Sequence, residues 1–234
     1  MANDYFSFRR FTVRQDRCAM KVGTDGTLLG AWARGGPTVL DVGTGTGLVA
    51  LMMAQRFPEA RVVGIDIDAE AVLQARQNVA ASPFGYIDIR CADVNDFVPA
   101  EADGAPFAAI ACNPPYFEAS LQSPDPRRTS ARHTSALSYA CLMAAAWRLL
   151  ADDGELSVVI PFDCKARLES EAALVGFFKS RQCAVRTTPR KPPRRFLLAF
   201  RKHQCEPELT DGVIETSPGV RSSWYQELTN DFYL

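Results

Sequence analysis

An α/β fold is predicted by this 234-residue sequence: a mostly parallel sheet with an antiparallel edge strand and helices on both faces. Three observations point there. Short apolar runs alternate with segments of helical periodicity from residue 38 to residue 179. Glycines at 43, 45 and 47 follow the first apolar run, where a strand has to turn sharply into a helix. The last two strand-like segments flank Pro189-Arg-Lys-Pro-Pro193, too short a link for a helical crossover, so they pair antiparallel.

The elements follow in order. Residues 1–30 are mixed aromatic, basic and glycine-rich. Residues 38–41 form a first strand and 47–56 a helix. Residues 61–66 and 69–80 repeat that unit. Strands follow at 87–91 and 107–112, each a short apolar run. The periodicity of 135–150 predicts a long helix, stopped by Asp152-Asp153-Gly154. A fifth strand covers 155–161 and a helix 165–179. Segments 182–188 and 195–202 are the closing pair. The Ser/Pro/Arg-rich stretch 121–134 reads as a loop, and 203–234 returns to polar turns.

Bulk composition sets the frame. At 47% hydrophobic residues the chain buries one core, so residues 1–234 form a single domain, with 31–234 as its body. Twenty-six cations against 27 acids give a net charge of −1, which by itself announces no polyanion partner. The seven cysteines are odd in number and form no CxxC pair, which argues for free thiols in the cytoplasm rather than a disulfide framework. The first ten residues lack the apolar core of a signal peptide, and no run approaches membrane-spanning length. With two histidines and no ligand spacing, the sequence predicts no metal site.

The chemistry concentrates at strand ends, where open parallel sheets bind ligands. Asp41-Val-Gly-Thr-Gly-Thr-Gly47 follows the first strand. A pyrophosphate loop of the GxGxxG type needs glycine at 48, and the chain has Leu48. GxGxG behind Asp41 instead suits a loop holding the ribose and methionine-type tail of S-adenosylmethionine. Asp66 ends the second strand, where an acid takes ribose hydroxyls, and Asp93 follows the third, where a carboxylate meets an adenine amino group. Gly43, Gly45 and Gly47 alone also fit an ordinary tight turn; the three features in order favour a nucleoside-bearing cofactor.

Asn113-Pro114-Pro115-Tyr116 follows the fourth strand. The lone pair of an exocyclic amine is delocalised into its ring, so the nitrogen is a poor nucleophile. Two acceptors aimed at the NH2 protons draw it toward tetrahedral geometry. The Asn113 oxygen and the Pro114 carbonyl supply them, Pro115 stiffens the turn, and Tyr116 offers a face for stacking an extruded base. The plain alternative, a rigid turn, accounts for Asn-Pro-Pro but not for its place beside a GxGxG strand. Cys112 reads as a core residue and His133 as an exposed loop residue.

Charge is unevenly spread. Residues 172–205 hold no acid but carry Lys179, Arg181, Arg186, Arg190, Lys191, Arg194, Arg195, Arg201 and Lys202. Arg127, Arg128 and Arg132 follow the Asn-Pro-Pro-Tyr stretch, and Arg9, Arg10, Arg14, Arg17 and Lys21 mix with aromatics near the start. Together they suggest a cationic frame for an RNA backbone, with Arg127, Arg128, Arg132, Arg190, Lys191, Arg194 and Arg195 as candidate contacts.

The order DVGTGTG, GIDID, AD and NPPY resembles class I S-adenosylmethionine-dependent amino-methyltransferases. The stretches 11–27 and 112–117, Ala131-Arg-His-Thr134 and the closing Leu228-Thr-Asn-Asp-Phe-Tyr-Leu234 resemble the bacterial tRNA1(Val) adenine-37 N6-methyltransferase family. That resemblance implies a seven-stranded sheet, S-adenosylmethionine as donor with S-adenosylhomocysteine as product, and transfer to the adenine 3′ of the anticodon of a valine tRNA. It implies cofactor contacts from Asp41, Gly43, Gly45, Gly47, Asp66, Asp93 and Asn113. By the same resemblance, residues 1–30 cap the site and Thr24, Asp25 and Gly26 close over the methionine end. A monomer or weak homodimer is expected. Two competing readings are a protein glutamine methyltransferase, since a side-chain amide has the same planar NH2, and N6-adenine methylation of another nucleic acid, rRNA or DNA.

Overall fold

The structure, a computed structural model, describes residues 4–18, 20–100, 106–115 and 137–234. A small hairpin, β1 (Tyr5–Ser7) and β2 (Thr12–Arg14), leads to helix α1 (Thr24–Trp32). The alternating body follows: β3 (Thr38–Val42), α2 (Leu48–Arg56), β4 (Arg61–Asp66), α3 (Ala69–Ala80), β5 (Asp88–Cys91) and β6 (Phe107–Cys112). Helix α4 (Tyr139–Leu149), β7 (Leu150–Pro161), a 3₁₀ turn at Phe162–Cys164 and α5 (Lys165–Leu174) continue it. The chain closes with β8 (Phe178–Arg186), β9 (Arg195–Arg201), β10 (Glu208–Val213), the pair β11 (Glu215–Ser217) and β12 (Val220–Arg221), and α6 (Ser223–Thr229).

The main sheet runs β10-β8-β9-β7-β6-β3-β4-β5. Strands β7, β6, β3, β4 and β5 are mutually parallel, and β9 is antiparallel to both β7 and β8. The predicted fold class therefore stands, with two corrections. Among the described residues the sheet has eight strands rather than seven, and the antiparallel strand lies inside it rather than at its edge. The added edge, β10, pairs parallel to β8; it is largely exposed and polar, which is why 203–234 reads as turns.

Alternation along the strands builds two cores. On β6, Ala109 and Ala111 face the α1, α2 and α3 side, while Ile110 and Cys112 face α4 and α5. Helix α1 was not legible because it carries Gly26 and Gly30, poor helix formers. They have a packing reason: a Cβ on Gly26 would sit 3.0 Å from Leu48 Cδ2, and one on Gly30 2.7 Å from Met52 Sδ. Both pairs are spaced by four, so α1 and α2 meet along a glycine seam. Arg56 then caps α1, donating from Nη1 to the carbonyls of Gly30 (3.0 Å) and Ala33 (2.6 Å).

Two helix C-termini move, and a further helix is added. The expected helix 135–150 ends at Leu149, and Leu150 already pairs with Phe107 in the sheet. The expected helix 165–179 stops at Leu174, because Gly176 takes φ +96° and turns the chain into β8. Helix α6 is a short element started by Ser222, whose Oγ accepts from Tyr225 N at 3.1 Å.

The two ends of the chain are latched together. Arg9 N donates to the Phe232 carbonyl at 2.8 Å, Arg9 Nε donates to the Tyr233 carbonyl, and Tyr233 stacks on Phe8 at 5.8 Å. Phe232 is 1% exposed. Phe232→Ala is expected to cost about 3–5 kcal/mol in urea unfolding; a loss under about 1 kcal/mol would show that the latch does not support the fold.

Candidate active site

Strand β3 ends in the glycine loop, and the loop is clipped to its neighbour β4. Gly43, Gly45 and Gly47 adopt φ of +68°, +55° and +83°, a region that other residues enter at a cost. Gly43 N and Thr44 N both donate to the Ile65 carbonyl at 2.9 Å, and Gly45 N donates to Asp66 Oδ2 at 2.8 Å. A Cβ on Gly43 would meet nothing within 4 Å, so this turn faces open space. Gly64, not singled out from the sequence, sits under the loop: a Cβ there would lie 2.9 Å from Thr44 Oγ1.

That open space is a cavity of about 730 Å³ at the carboxyl ends of β3, β4, β5 and β6. Its lining includes Gly43, Gly45, Asp66, Asp93, Asn113, Pro114 and Pro115, and also Thr24, Asp25 and Gly26 from the start of α1. Gly47 packs beneath instead, where an added Cβ would lie 3.3 Å from Ala75 Cβ. The sheet register fixes the central juxtaposition. Val42 pairs with Cys112 on adjacent strands, so Gly43 and Asn113 are the next residues out, side by side.

The acids differ in role. Asp66 is half-buried; Oδ2 takes Gly45 N and Oδ1 takes Asp68 N at 3.0 Å, so it shapes the loop as well as facing the cavity. Asp93 accepts Asn95 N (2.9 Å) and Nδ2 (2.8 Å), both on Oδ1. Asp41 is 1% exposed; its Oδ2 accepts Thr44 Oγ1 at 2.6 Å and Ala50 N at 3.1 Å, bracing the loop onto α2. Burial lifts its carboxyl from 3.8 to about 7, against the lowering effect of those two bonds. Burial also pushes the Cys112 thiol well up, which makes it inert and matches its reading as a core residue. All seven cysteines are free.

Asn113 is half-buried, and its Nδ2 lies 3.7 Å from Met20 Sδ, on the N-terminal segment. Met20 and Gly23 were not singled out, and Lys21 only within the basic N-terminal group, yet all three line the cavity. Tyr116, Arg127, Arg128, Arg132 and His133 lie outside the described residues. So do 121–134, read as a loop, and the first two residues of the expected helix 135–150.

The basic stretch is narrower than its composition suggests. Glu155, 3% exposed, takes Arg181 at 2.6 Å and Arg201 at 3.0 Å; Lys179 pairs with Glu169, Arg186 with Asp211 and Lys202 with Asp152. These cations serve the fold. Arg195 Nε pairs with Asp25 Oδ1 at 2.8 Å in the cavity wall. Arg190, Lys191 and Arg194 are displayed to solvent on the β8–β9 turn.

Comparison with known proteins follows the same lines. Residues 39–154 match the methyltransferase domain family. The tRNA1(Val) (adenine(37)-N6)-methyltransferase of Phocaeicola vulgatus is 47% identical, with 100% of this chain and 99% of the relative aligned. The chain belongs to that enzyme family. The namesake from Trichodesmium erythraeum is 38% identical over the same shares. In fold, the chain resembles a predicted O-methyltransferase from Agrobacterium tumefaciens, with a TM-score of 0.69 and 18% identity, over 89% of this chain and 96% of that one. It is a class I methyltransferase that uses S-adenosylmethionine.

The residues present fit that donor: the open face at Gly43, acids at the ends of β4 and β5, and a volume within the usual range for a cofactor cleft. Asp41 supplies a pH test. Its folded pKa is raised, so the folded state holds the proton more tightly than the unfolded one. The neutral form's contribution is complete below about pH 4 and is lost as pH rises to about 7. Relative to Asp41→Asn, the unfolding free energy is expected to fall across that window and to flatten above it; a pH-independent difference would show Asp41 ionised throughout.

Proposed function

We propose that this chain transfers the methyl group of S-adenosylmethionine to N6 of adenine 37 in tRNA1(Val). The observation that carries the reading is the β3–β6 register, which sets Gly43 of the donor loop beside Asn113 of the acceptor turn. When bound, the cofactor supplies an electrophilic methyl carbon on its sulfonium. Asp66 accepts ribose hydroxyls and Asp93 the adenine amino group. Backbone N–H groups in the first turn of α1, at Thr24, Asp25 and Gly26, favour the carboxylate of the methionine end. The segment 1–30 caps the site.

The chain's own part in the chemistry is to orient and desolvate. Asn113 Oδ1 and the Pro114 carbonyl accept hydrogen bonds from the two N6–H groups and turn the nitrogen lone pair toward the donor cleft; as the N–C bond forms and the S–C bond breaks, one of those protons passes to solvent, while Pro115 keeps the turn rigid and Tyr116 stacks on the base. Asn113 is half-buried beside Met20, and the bound base itself completes the exclusion of water from the reacting nitrogen. Arg190, Lys191 and Arg194 contact RNA phosphates, with Arg195 held closer to the base by Asp25. The relatives' shared name favours tRNA over a glutamine side chain, rRNA or DNA.

Nucleoside analysis of tRNA lacking the modification, after incubation with protein and donor, should show N6-methyladenosine at position 37; transfer to protein release factors alone would overturn the reading. Asn113→Ala should lower kcat by at least about a hundredfold while leaving S-adenosylhomocysteine affinity nearly unchanged. Turnover within a few-fold of the parent would refute the acceptor assignment. Replacing Arg190, Lys191 and Arg194 together by alanine should weaken tRNA binding and flatten its salt dependence, by about one unit of slope for each phosphate that the turn neutralises. An unchanged slope would remove this turn from the interface.

A further inference from the structure

Helix α3 places Gln74 and Asn78 one turn apart on a single face, with 0% and 1% exposure. Their buried neighbours on α3 are Ala71, Val72, Ala75 and Val79, so aliphatic side chains would be the simple choice here. The two amides are instead engaged with backbone. Asn78 Nδ2 donates to the Arg14 carbonyl (2.9 Å) and to the Thr46 carbonyl (2.9 Å), and Oδ1 accepts Arg14 N (2.8 Å). Gln74 Oε1 accepts Arg17 N at 2.9 Å.

The Asn78 amide thus answers both backbone groups of Arg14 on β2, as a neighbouring strand would, while also gripping the glycine loop at Thr46. Beyond Arg14, Cys18, Met20, Lys21 and Gly23 line the cavity. Gln15 Oε1 accepts Val22 N at 2.8 Å, folding the segment back, and Met20 then lies against Asn113. One side chain therefore joins the loop that faces the donor to the segment that walls the acceptor turn.

We infer that Asn78 is a positioning residue for methyl transfer, coupling the order of segment 14–23 to the glycine loop. Donor binding at the loop then sets the N-terminal wall, and the wall in turn supports donor binding. The inference rests on the cavity being the donor site. Gln74 provides an internal comparison, since its hydrogen bonds go to Arg17 of the same segment and to Gln77, and not to the loop.

The test combines titration calorimetry of S-adenosylhomocysteine with trypsin mapping of cuts after Arg14, Arg17 and Lys21. In the parent, saturating ligand should protect those sites. Asn78→Leu should bind the ligand about tenfold or more weakly and stay open to trypsin even when saturated. Asn78→Asp keeps the volume and the acceptor but loses the donors; it should behave like Asn78→Leu and stands in for it if that variant does not fold. Gln74→Leu should open the segment to trypsin with a clearly smaller loss of affinity. Parent-like affinity and protection in a folded Asn78 variant would overturn the inference, as would equal affinity losses at 74 and 78. A parent protein that fails to bind the ligand would overturn the donor-site reading, and this inference with it.

Discussion

The structure depends on a left-handed backbone turn. Between β3 and α2 the chain reverses through glycines at positive φ, and the turn holds only because β4 supplies its partners: the Ile65 carbonyl takes two loop N–H groups and Asp66 a third. Residues with a Cβ would cost roughly 1–2 kcal/mol at each such position. Gly64 lets the loop lie close on β4, and buried Asp41 ties it to the start of α2. With the loop fixed, its outer face is left as backbone facing open cavity, which is what a close-fitting cofactor requires.

Register carries that constraint to the chemistry. Neighbouring strands lie about 4.8 Å apart. Because Val42 opposes Cys112, the first residues beyond the two strands, Gly43 and Asn113, stand side by side; in the proposed reaction Gly43 serves the donor and Asn113 the acceptor. Little else has to be arranged. Asp66 and Asp93, at the ends of β4 and β5, line the same cavity and complete the donor side in the proposed reading. The N-terminal segment, pinned on α3 and latched to the C-terminus through Phe232 and Tyr233, completes the wall beside Asn113.

The parallel body was legible because its signals are local: apolar runs of strand length, helical periodicity over 69–80, and glycines where a turn has to be tight. The strand at 61–66, the strand at 107–112 and the helix at 69–80 fall as their patterns indicate. What escaped depends on partners distant in sequence. Helix α1 has weak propensity and exists because Gly26 and Gly30 fit Leu48 and Met52. Strand β10 is polar and exposed, and Gly212 leaves room there for Trp224. The acid-free stretch reads as a cationic frame because the counter-ions of its other cations, Glu155, Glu169 and Asp211 among them, come from other parts of the chain. In the site, the glycine loop and the Asn-Pro-Pro turn were visible as motifs. Met20, Asn78 and Gln74 were not; the available signal was a pair of amides four residues apart on an otherwise apolar helix face.

The most direct test of this account is a crystal structure with S-adenosylhomocysteine and an anticodon stem-loop bound together. The target adenine should be turned out of its stack, with its N6 about 3 Å from Asn113 Oδ1 and facing the cofactor sulfur across the Gly43 turn. A complex in which Asn113 points away from the sulfur, or in which the base lies outside this cavity, would contradict it.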